Sequence, residues 1–222
     1  MPDRTFWKAV LRIAVPVIIQ NFVTYFLNLI DVMMVGQLGE VSVAGVGLAN
    51  QIPYILGLLL FGINTGSATL TAQLWGKADT VNIRKVTALC LALGVLGGLL
   101  FTGVALFLPA QTMQIYSNDL KVIQSGSSFL RISAISYLMM SVSMSYSTVL
   151  KSTGIVKAQM VISFFALGLK TFLNYLLIFG NWGAPQMGTN GAALATVISR
   201  LVEMLAMVYV VYRYHPMVAV YP

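Results

Sequence analysis

Charged side chains are scarce in this chain. Of its 222 residues, only 9% are Asp, Glu, Lys or Arg, while 58% are hydrophobic. An ordinary soluble domain has about 25% charged residues. The chain therefore lacks the polar residues with which a soluble domain of this length would cover its surface. Its composition is instead typical of a protein that lies in a lipid bilayer.

Cysteine and histidine are almost absent. The sequence contains one cysteine, Cys90, and one histidine, His215. One thiol cannot form an internal disulfide framework, and one imidazole does not make a metal site. No set of nucleophile, base and orienting group is visible either. We therefore expect that the protein is not an enzyme and binds no cofactor. The one metal ion for which the sequence offers a candidate ligand is Na⁺, at Asp31.

Long apolar runs make up most of the chain. Each has about 20 residues or more, which is enough to cross the hydrocarbon layer of a bilayer as a helix. Because the connections between them are short, we predict an all-α membrane protein in which one bundle of six transmembrane helices spans residues 1–222. Pro16 and Pro53 lie within two of the runs and are expected to bend their helices. The predicted spans are approximately 9–36, 41–71, 85–108, 122–150, 156–180 and 188–212.

The net charge of +7 is distributed unevenly. Basic residues lie at the start of the first run, in alternate connections and after the last run, whereas the other connections contain only Lys121. Lysine and arginine accumulate in cytoplasmic loops. We therefore predict a multi-pass protein of the cell membrane with both termini in the cytoplasm. The basic charge reports topology, and we expect the lipid bilayer rather than nucleic acid as its partner.

Polar residues inside the predicted spans are the candidates for function. Asp31 is the most informative, because a carboxylate at membrane depth is costly. It precedes Gly36 by five residues, about 7–8 Å from the end of its span. Asn174 and Thr196 fall at similar depth, and Asn28 shares the helix face of Asp31. Their oxygen and amide groups could bind a proton or a hard cation such as Na⁺. These four residues form the predicted cation-coupling site.

Two basic residues lie close to this level. Lys170 and Arg200 are one helical turn deeper than Asn174 and Thr196, on the same helix faces. We expect them to support the polar network, but either could instead neutralise Asp31 in a purely structural ion pair. Arg200 and Glu203 are three residues apart and are expected to pair with each other.

Several sequence motifs occur in a characteristic order. The fifth and sixth spans contain Leu173-Asn-Tyr-Leu-Leu-Ile-Phe-Gly180, then Gly183, Pro185, Met187-Gly188 and Gly191-Ala-Ala-Leu-Ala-Thr196. The first two spans contain Pro16, Asp31-Val-Met-Met-Val-Gly-Gln-Leu-Gly39, Val43-Ala-Gly-Val-Gly-Leu-Ala49, Gly66 and Gln73-Leu-Trp-Gly-Lys77. In these motifs the chain resembles the multidrug and toxic compound extrusion (MATE) transporters.

The resemblance implies a fold of twelve helices in two lobes, of which this chain is similar to the N-terminal six-helix lobe. It also implies efflux of organic cations by alternating access, with H⁺ or Na⁺ as the coupling ion. In the family, the residues that match Asp31, Asn174 and Thr196 belong to a network implicated in coupling, and the first helix of some members bends at the proline that matches Pro16. Some relatives have an aspartate where this chain has Ile178.

The resemblance covers only the first half of the family's architecture. A second lobe is therefore an expected partner, either as another copy of this chain or as a missing C-terminal half. Two other interpretations stay open at this stage. The chain could be a truncated or half-size membrane module that does not transport, or a relative of the lipid-linked oligosaccharide flippases.

Overall fold

The chain folds into long helices packed side by side. The computed structural model describes the backbone of residues 4–215 and 219, while the side chains of residues 4–14, 16, 17 and 20 are outside the description. Within these residues the secondary structure is entirely helical, and no β-strand occurs. The helices are α1 Arg4–Gly36, α2 Glu40–Ala49, α3 Gln51–Gly76, α4 Thr80–Phe107, α5 Pro109–Gln114, α6 Leu120–Ser133, α7 Ile135–Ser152, α8 Val156–Phe179 and α9 Thr189–Tyr214.

Four helical units in the described part of the chain are long and apolar enough to cross a bilayer. They are Glu40–Gly76, Thr80–Phe107, Val156–Phe179 and Thr189–Tyr214, while the apolar stretch Asn21–Gly36 is shorter. Much of the surface of α1, α3 and α4 is hydrocarbon, with Phe22, Phe61 and Leu96 each more than 60% exposed. Side chains of this kind are stable at a surface only where lipid or another apolar partner replaces water.

The second predicted span is divided into two helices. α2 ends at Ala49 and α3 begins at Gln51, with Asn50 between them. Pro53 explains the division, because a proline has no N–H to donate to the carbonyl four residues earlier, here Ala49. The predicted disturbance at Pro53 is thus a break in the helix. The bend predicted at Pro16 falls on a side chain outside the described residues and stays a prediction.

The fourth predicted span, 122–150, is also divided, at Ala134 between α6 and α7. The hydroxyl of Ser136 donates to the carbonyl of Ser133 at 2.6 Å, and the hydroxyl of Thr102 on α4 donates to the carbonyl of Ala134 at 3.0 Å. Hydroxyl groups that bond to backbone carbonyls compete with the helical ladder. The N–H of Tyr137 then bonds to Ala134, three residues back. The tighter turn changes the direction in which the next side chains point.

Close contacts between helices depend on small residues. α8 and α9 pack on each other, and α1 packs on α8. At Gly191, near the start of α9, an added Cβ would lie 2.5 Å from the carbonyl oxygen of Leu177 on α8. Since a methyl group cannot fit there, glycine sets the distance between these two helices.

We predict that Gly191→Ala destabilises the bundle, because the backbone of α8 would have to move away. The expected loss is about 1–3 kcal/mol of the free energy of unfolding. It would be measured as a lower Tm of the purified protein in detergent. Gly168→Ala on α8 is the matched control, because an added Cβ there meets no atom within 4 Å. Equal Tm values for the two variants would contradict a close contact at Gly191.

Candidate functional site

Asp31 lies on α1 and is buried, with 9% of its surface exposed. The side-chain amide of Asn174, on α8, donates a hydrogen bond of 2.8 Å to Asp31 Oδ1. Asn174 is itself 1% exposed. The two residues that sequence depth placed at the same level are therefore in direct contact. The bond joins α1 to α8 across 143 positions of sequence.

Lys170 neutralises the second carboxylate oxygen. Its Nζ atom lies 2.6 Å from Asp31 Oδ2, and its side chain is 25% exposed. Lys170 precedes Asn174 by one helical turn, so both side chains extend from the same face of α8. Of the two basic residues that could neutralise Asp31, the structure therefore identifies Lys170. A partly buried ion pair of this kind stabilises the fold only if its geometry compensates the lost hydration.

Arg200 has a different partner. Its Nη1 atom lies 2.7 Å from Oε2 of Glu203, which forms the pair expected from their spacing on α9. Thr196 also bonds within its own helix, donating 2.9 Å to the carbonyl of Ala192. Both residues line a cavity with Asp31, but these bonds join them to their own helix. Thr196 therefore lines the same cavity as Asp31, but its hydroxyl bonds to Ala192 rather than to the carboxylate.

The cavity beside Asp31 has a volume of about 220 Å³. Its polar wall contains Asp31, Lys170, Asn174, Thr196 and Arg200. A second wall is largely apolar and comes from α2, α3, α6 and α7, the four helices beside the two breaks. The residues on that wall include Val43, Val46, Pro53, Phe129, Ser133, Ser136, Tyr137 and Met140. We call this space the Asp31 cavity.

A second cavity lies on the other side of Lys170. It measures about 280 Å³ and is mostly polar, and we call it the Glu203 cavity. Lys170, Thr196 and Arg200 line both cavities. Asn28 lines only the Glu203 cavity, together with Asn21 and Thr24 from the same helix. The structure therefore places Asn28 in a different cavity from Asp31, although their spacing of three residues puts both on one face of α1.

A chain of hydrogen bonds leads from α8 to Glu203. The amide of Gln159 donates to Ser163 at 3.1 Å, and the hydroxyl of Ser163 donates to Oε1 of Glu203 at 3.4 Å. Gln159 and Ser163 are both buried. Glu203 is thus held by Ser163 on one carboxylate oxygen and by Arg200 on the other.

Sequence reasoning missed the contribution of α6 and α7. Ser133, Ser136 and Tyr137 all line the Asp31 cavity and are almost fully buried. Their approach depends on the break at Ala134, which the apolar run did not reveal. The signal in the sequence that could have indicated this contribution is the density of serine in this span.

No group of three or more His, Cys, Asp or Glu side chains that could hold a metal ion occurs among the residues with described side chains. Ile178, one turn beyond Asn174, is fully buried in the hydrophobic core. Its hydrocarbon side chain supplies no second carboxylate with which a metal ion could be bound. In the part of the chain whose side chains the structure describes, Asp31 is the one acidic residue that lines this cavity.

The geometry can be compared with known proteins. A family model described as MatE matches residues 16–176. The chain belongs to the MATE family. The resemblance seen in the sequence motifs is confirmed, and so is the expectation of a transporter family rather than an enzyme family. The chain is a multi-pass membrane protein.

The relatives are bacterial multidrug resistance proteins. A probable multidrug resistance protein NorM of Thermotoga maritima is 25% identical over 207 residues, which cover 93% of this chain and 44% of the relative. A probable multidrug resistance protein of Bacillus subtilis, YoeA, is 28% identical over 217 residues, which cover 95% and 46%. The chain spans about half the length of the curated relatives it matches.

Solved structures show the same fold. An outward-facing multidrug resistance MATE transporter superimposes with a TM-score of 0.85 at 22% identity, over 96% of this chain and 47% of that chain. A MOP superfamily transporter from Pyrococcus furiosus, described as having a binding pocket of reverse polarity, gives a TM-score of 0.81 at 21% identity, over 97% and 47%. The all-helical fold is therefore that of about half a MATE transporter, which confirms the predicted fold class.

We predict that Asp31 and Lys170 are energetically coupled. In a double-mutant cycle of Asp31→Asn and Lys170→Met, each single change leaves the other residue without its partner, so the double variant should lose less stability than the sum. The expected coupling is about 0.5–3 kcal/mol, measured from unfolding in detergent. A cycle of Asp31→Asn with Lys157→Met, an exposed lysine of α8, should be additive. Additivity in both cycles would contradict the ion pair.

Proposed function

We propose that this chain is the cation-binding lobe of a multidrug efflux antiporter. It exports organic cations by alternating access, and the inward gradient of H⁺ or Na⁺ supplies the free energy. The coupling ion binds at Asp31, with Asn174 as its direct hydrogen-bond partner. Lys170, Arg200, Thr196 and the more distant Asn28 form the surrounding polar network.

The observation that carries this proposal is the position of Asp31. Its carboxylate is buried on a membrane helix, yet it forms part of the wall of a 220 Å³ cavity. A carboxylate needed only for packing would be expected among side chains rather than beside an open space. Ionisable residues inside membrane segments characteristically mark the pathways of ions and substrates.

The cavity wall also suits an organic cation. Phe129, Tyr137 and Met140 provide aromatic and polarisable surface opposite the carboxylate. Aromatic rings attract cations through their negative faces, and methionine adapts to ligands of different shape. A wall of this kind, with few fixed hydrogen-bond donors, favours broad rather than narrow substrate choice.

A second lobe completes the transporter in this proposal. Transporters built from parallel repeats place their substrate sites between two lobes, which move relative to each other. We propose that the six predicted spans form one lobe with both termini in the cytoplasm. Its partner is either a second copy of the chain or a C-terminal lobe of the same fold.

Drug efflux tests the proposal directly. Cells that lack their own efflux pumps would express the chain, and the loss of preloaded ethidium would be followed by fluorescence. We expect energy-dependent efflux, which Asp31→Asn abolishes because a neutral amide cannot take up and release the coupling cation. Membrane content of each variant would be measured by immunoblotting.

The matched control is Asp119→Asn. Asp119 precedes α6, where its carboxylate accepts a hydrogen bond from the N–H of Lys121, and asparagine can replace it in that role. Efflux should be unchanged in this variant. Absence of efflux from the unmodified chain, although it is inserted in the membrane, would contradict an exporting lobe and favour a non-transporting module or a lipid flippase.

The proposed orientation can be tested with single cysteines. Cys90 is fully buried, so Cys90→Ser provides a background with little reactivity. In that background, a membrane-impermeant maleimide added to intact cells should label Asn118→Cys and should label Val81→Cys only after permeabilisation. Both positions are exposed. The reverse labelling pattern would contradict cytoplasmic termini.

A further inference from the structure

Lys170 places a positive charge where a metal ion would have to bind. Its ammonium group lies 2.6 Å from Asp31 Oδ2. We propose that Lys170 is a tethered cation that excludes Na⁺ from Asp31 and thereby makes the proton the coupling ion of this lobe. This inference rests on the proposed role of Asp31 and adds the identity of the ion and the residue that selects it.

The oxygen atoms around Asp31 do not form a shell for a hard cation. Such ions take several oxygen ligands at once. One carboxylate oxygen of Asp31 accepts the amide of Asn174, and the other is in contact with the ammonium group of Lys170. The carbonyl Oδ1 of Asn174 therefore points away from Asp31, and it has no hydrogen-bond partner in the described part of the chain. Ile178 adds no oxygen.

Electrostatic repulsion by Lys170 is a second reason why Na⁺ is excluded from Asp31. A Na⁺ ion bound to Asp31 would share one carboxylate with the ammonium group at a separation of a few ångströms. In the low dielectric of a membrane protein this repulsion is strong. A proton differs in the first respect, because it bonds to a single oxygen and needs no shell of ligands. Its binding makes the carboxyl group neutral, so that Lys170 loses its partner and is free to move away from Asp31.

The structure provides a place for the released side chain. Lys170 lines the Glu203 cavity as well as the Asp31 cavity. Lysine has a flexible four-carbon stem, and the carboxylate of Glu203 is part of the wall of the second cavity. Oε1 of that carboxylate accepts a long hydrogen bond, 3.4 Å, from Ser163. The ammonium group can therefore exchange one carboxylate for another.

The proton balance follows from the groups that face Lys170. A proton from water in the Asp31 cavity binds to the carboxylate of Asp31, and Lys170 keeps its three protons as it moves towards Glu203. Release of the proton reverses both steps. Arg200 stays with Glu203 through its own contact of 2.7 Å. Where side chains are described, the titratable or charged residues that line the two cavities are Asp31 on α1, Tyr137 on α7, Lys170 on α8, and Arg200 and Glu203 on α9.

Ion binding to the purified full chain tests this inference without any transport. The measurements are equilibrium binding of radioactive Na⁺ and the shift in Tm when NaCl replaces choline chloride at constant ionic strength. The unmodified chain should show neither. Lys170→Met should gain Na⁺ binding and a Na⁺-specific rise in Tm, at least about tenfold above the unmodified chain in affinity, because the competing charge is removed. Lys170→Gln provides a second variant if the methionine variant does not fold.

Two controls define the site. Asp31→Asn combined with Lys170→Met should lose the gained Na⁺ binding, and Lys157→Met, an exposed lysine on the same helix, should gain none.

Proton uptake is measured separately with a pH-indicator dye. On acidification the unmodified chain should take up protons, and this uptake should be smaller in Asp31→Asn.

The outcomes separate this inference from the proposed function. Na⁺ binding by the unmodified chain that depends on Asp31 would overturn the role of Lys170 while it leaves Asp31 as the cation site. Failure of the Lys170→Met and Lys170→Gln variants to bind Na⁺ would also overturn it. Loss of the proposed function would instead be seen as ethidium efflux that does not depend on Asp31, whatever the result of Na⁺ binding.

Discussion

The structure depends on the need to compensate a carboxylate that is buried on a membrane helix. Asp31 cannot remain charged at that depth without partners, and both of its partners, Asn174 and Lys170, come from α8. This requirement fixes α1 against α8 in angle and in register. α8 is in turn held against α9 by the close contact at Gly191. One charge thus links α1 to the consecutive helices α8 and α9 across 143 positions of sequence.

The other half of the bundle contributes the open space. Helices that run straight through a bilayer pack along their whole length and leave little room between them. Here Asn50 separates α2 from α3, and Ala134 separates α6 from α7. The break at Ala134 is stabilised by the hydroxyl of Thr102, which donates to the carbonyl of Ala134. The interruptions allow Tyr137 and its neighbours to line a cavity next to Asp31.

Hydrophobic runs and residue depth predict a large part of this arrangement. They give the helical segments to within a few residues and bring Asp31 and Asn174 to one level, where the two are bonded. Depth alone cannot predict the direction of a side chain around its helix. Asn28 lies in a different cavity although its spacing puts it on the helix face of Asp31, whereas Arg200 pairs with Glu203 as their spacing predicts. The break at Ala134 depends on a hydroxyl from another helix, a tertiary contact that a local pattern does not contain.

The charges that line the two cavities balance. Among the residues with described side chains, Asp31 and Glu203 supply two negative charges, and Lys170 and Arg200 supply two positive ones, each in contact with a partner. A neutral network in a medium of low dielectric has little tolerance for an added charge, because every incoming cation leaves one residue unpaired. Binding of a cation must therefore be accompanied by movement of a charge already present. Arg200 is held on its own helix three residues from its partner, whereas Lys170 joins two helices and lines both cavities. In the mechanism that we propose the mobile charge is therefore Lys170, and through it the occupancy of Asp31 would act on the contact between α1 and α8.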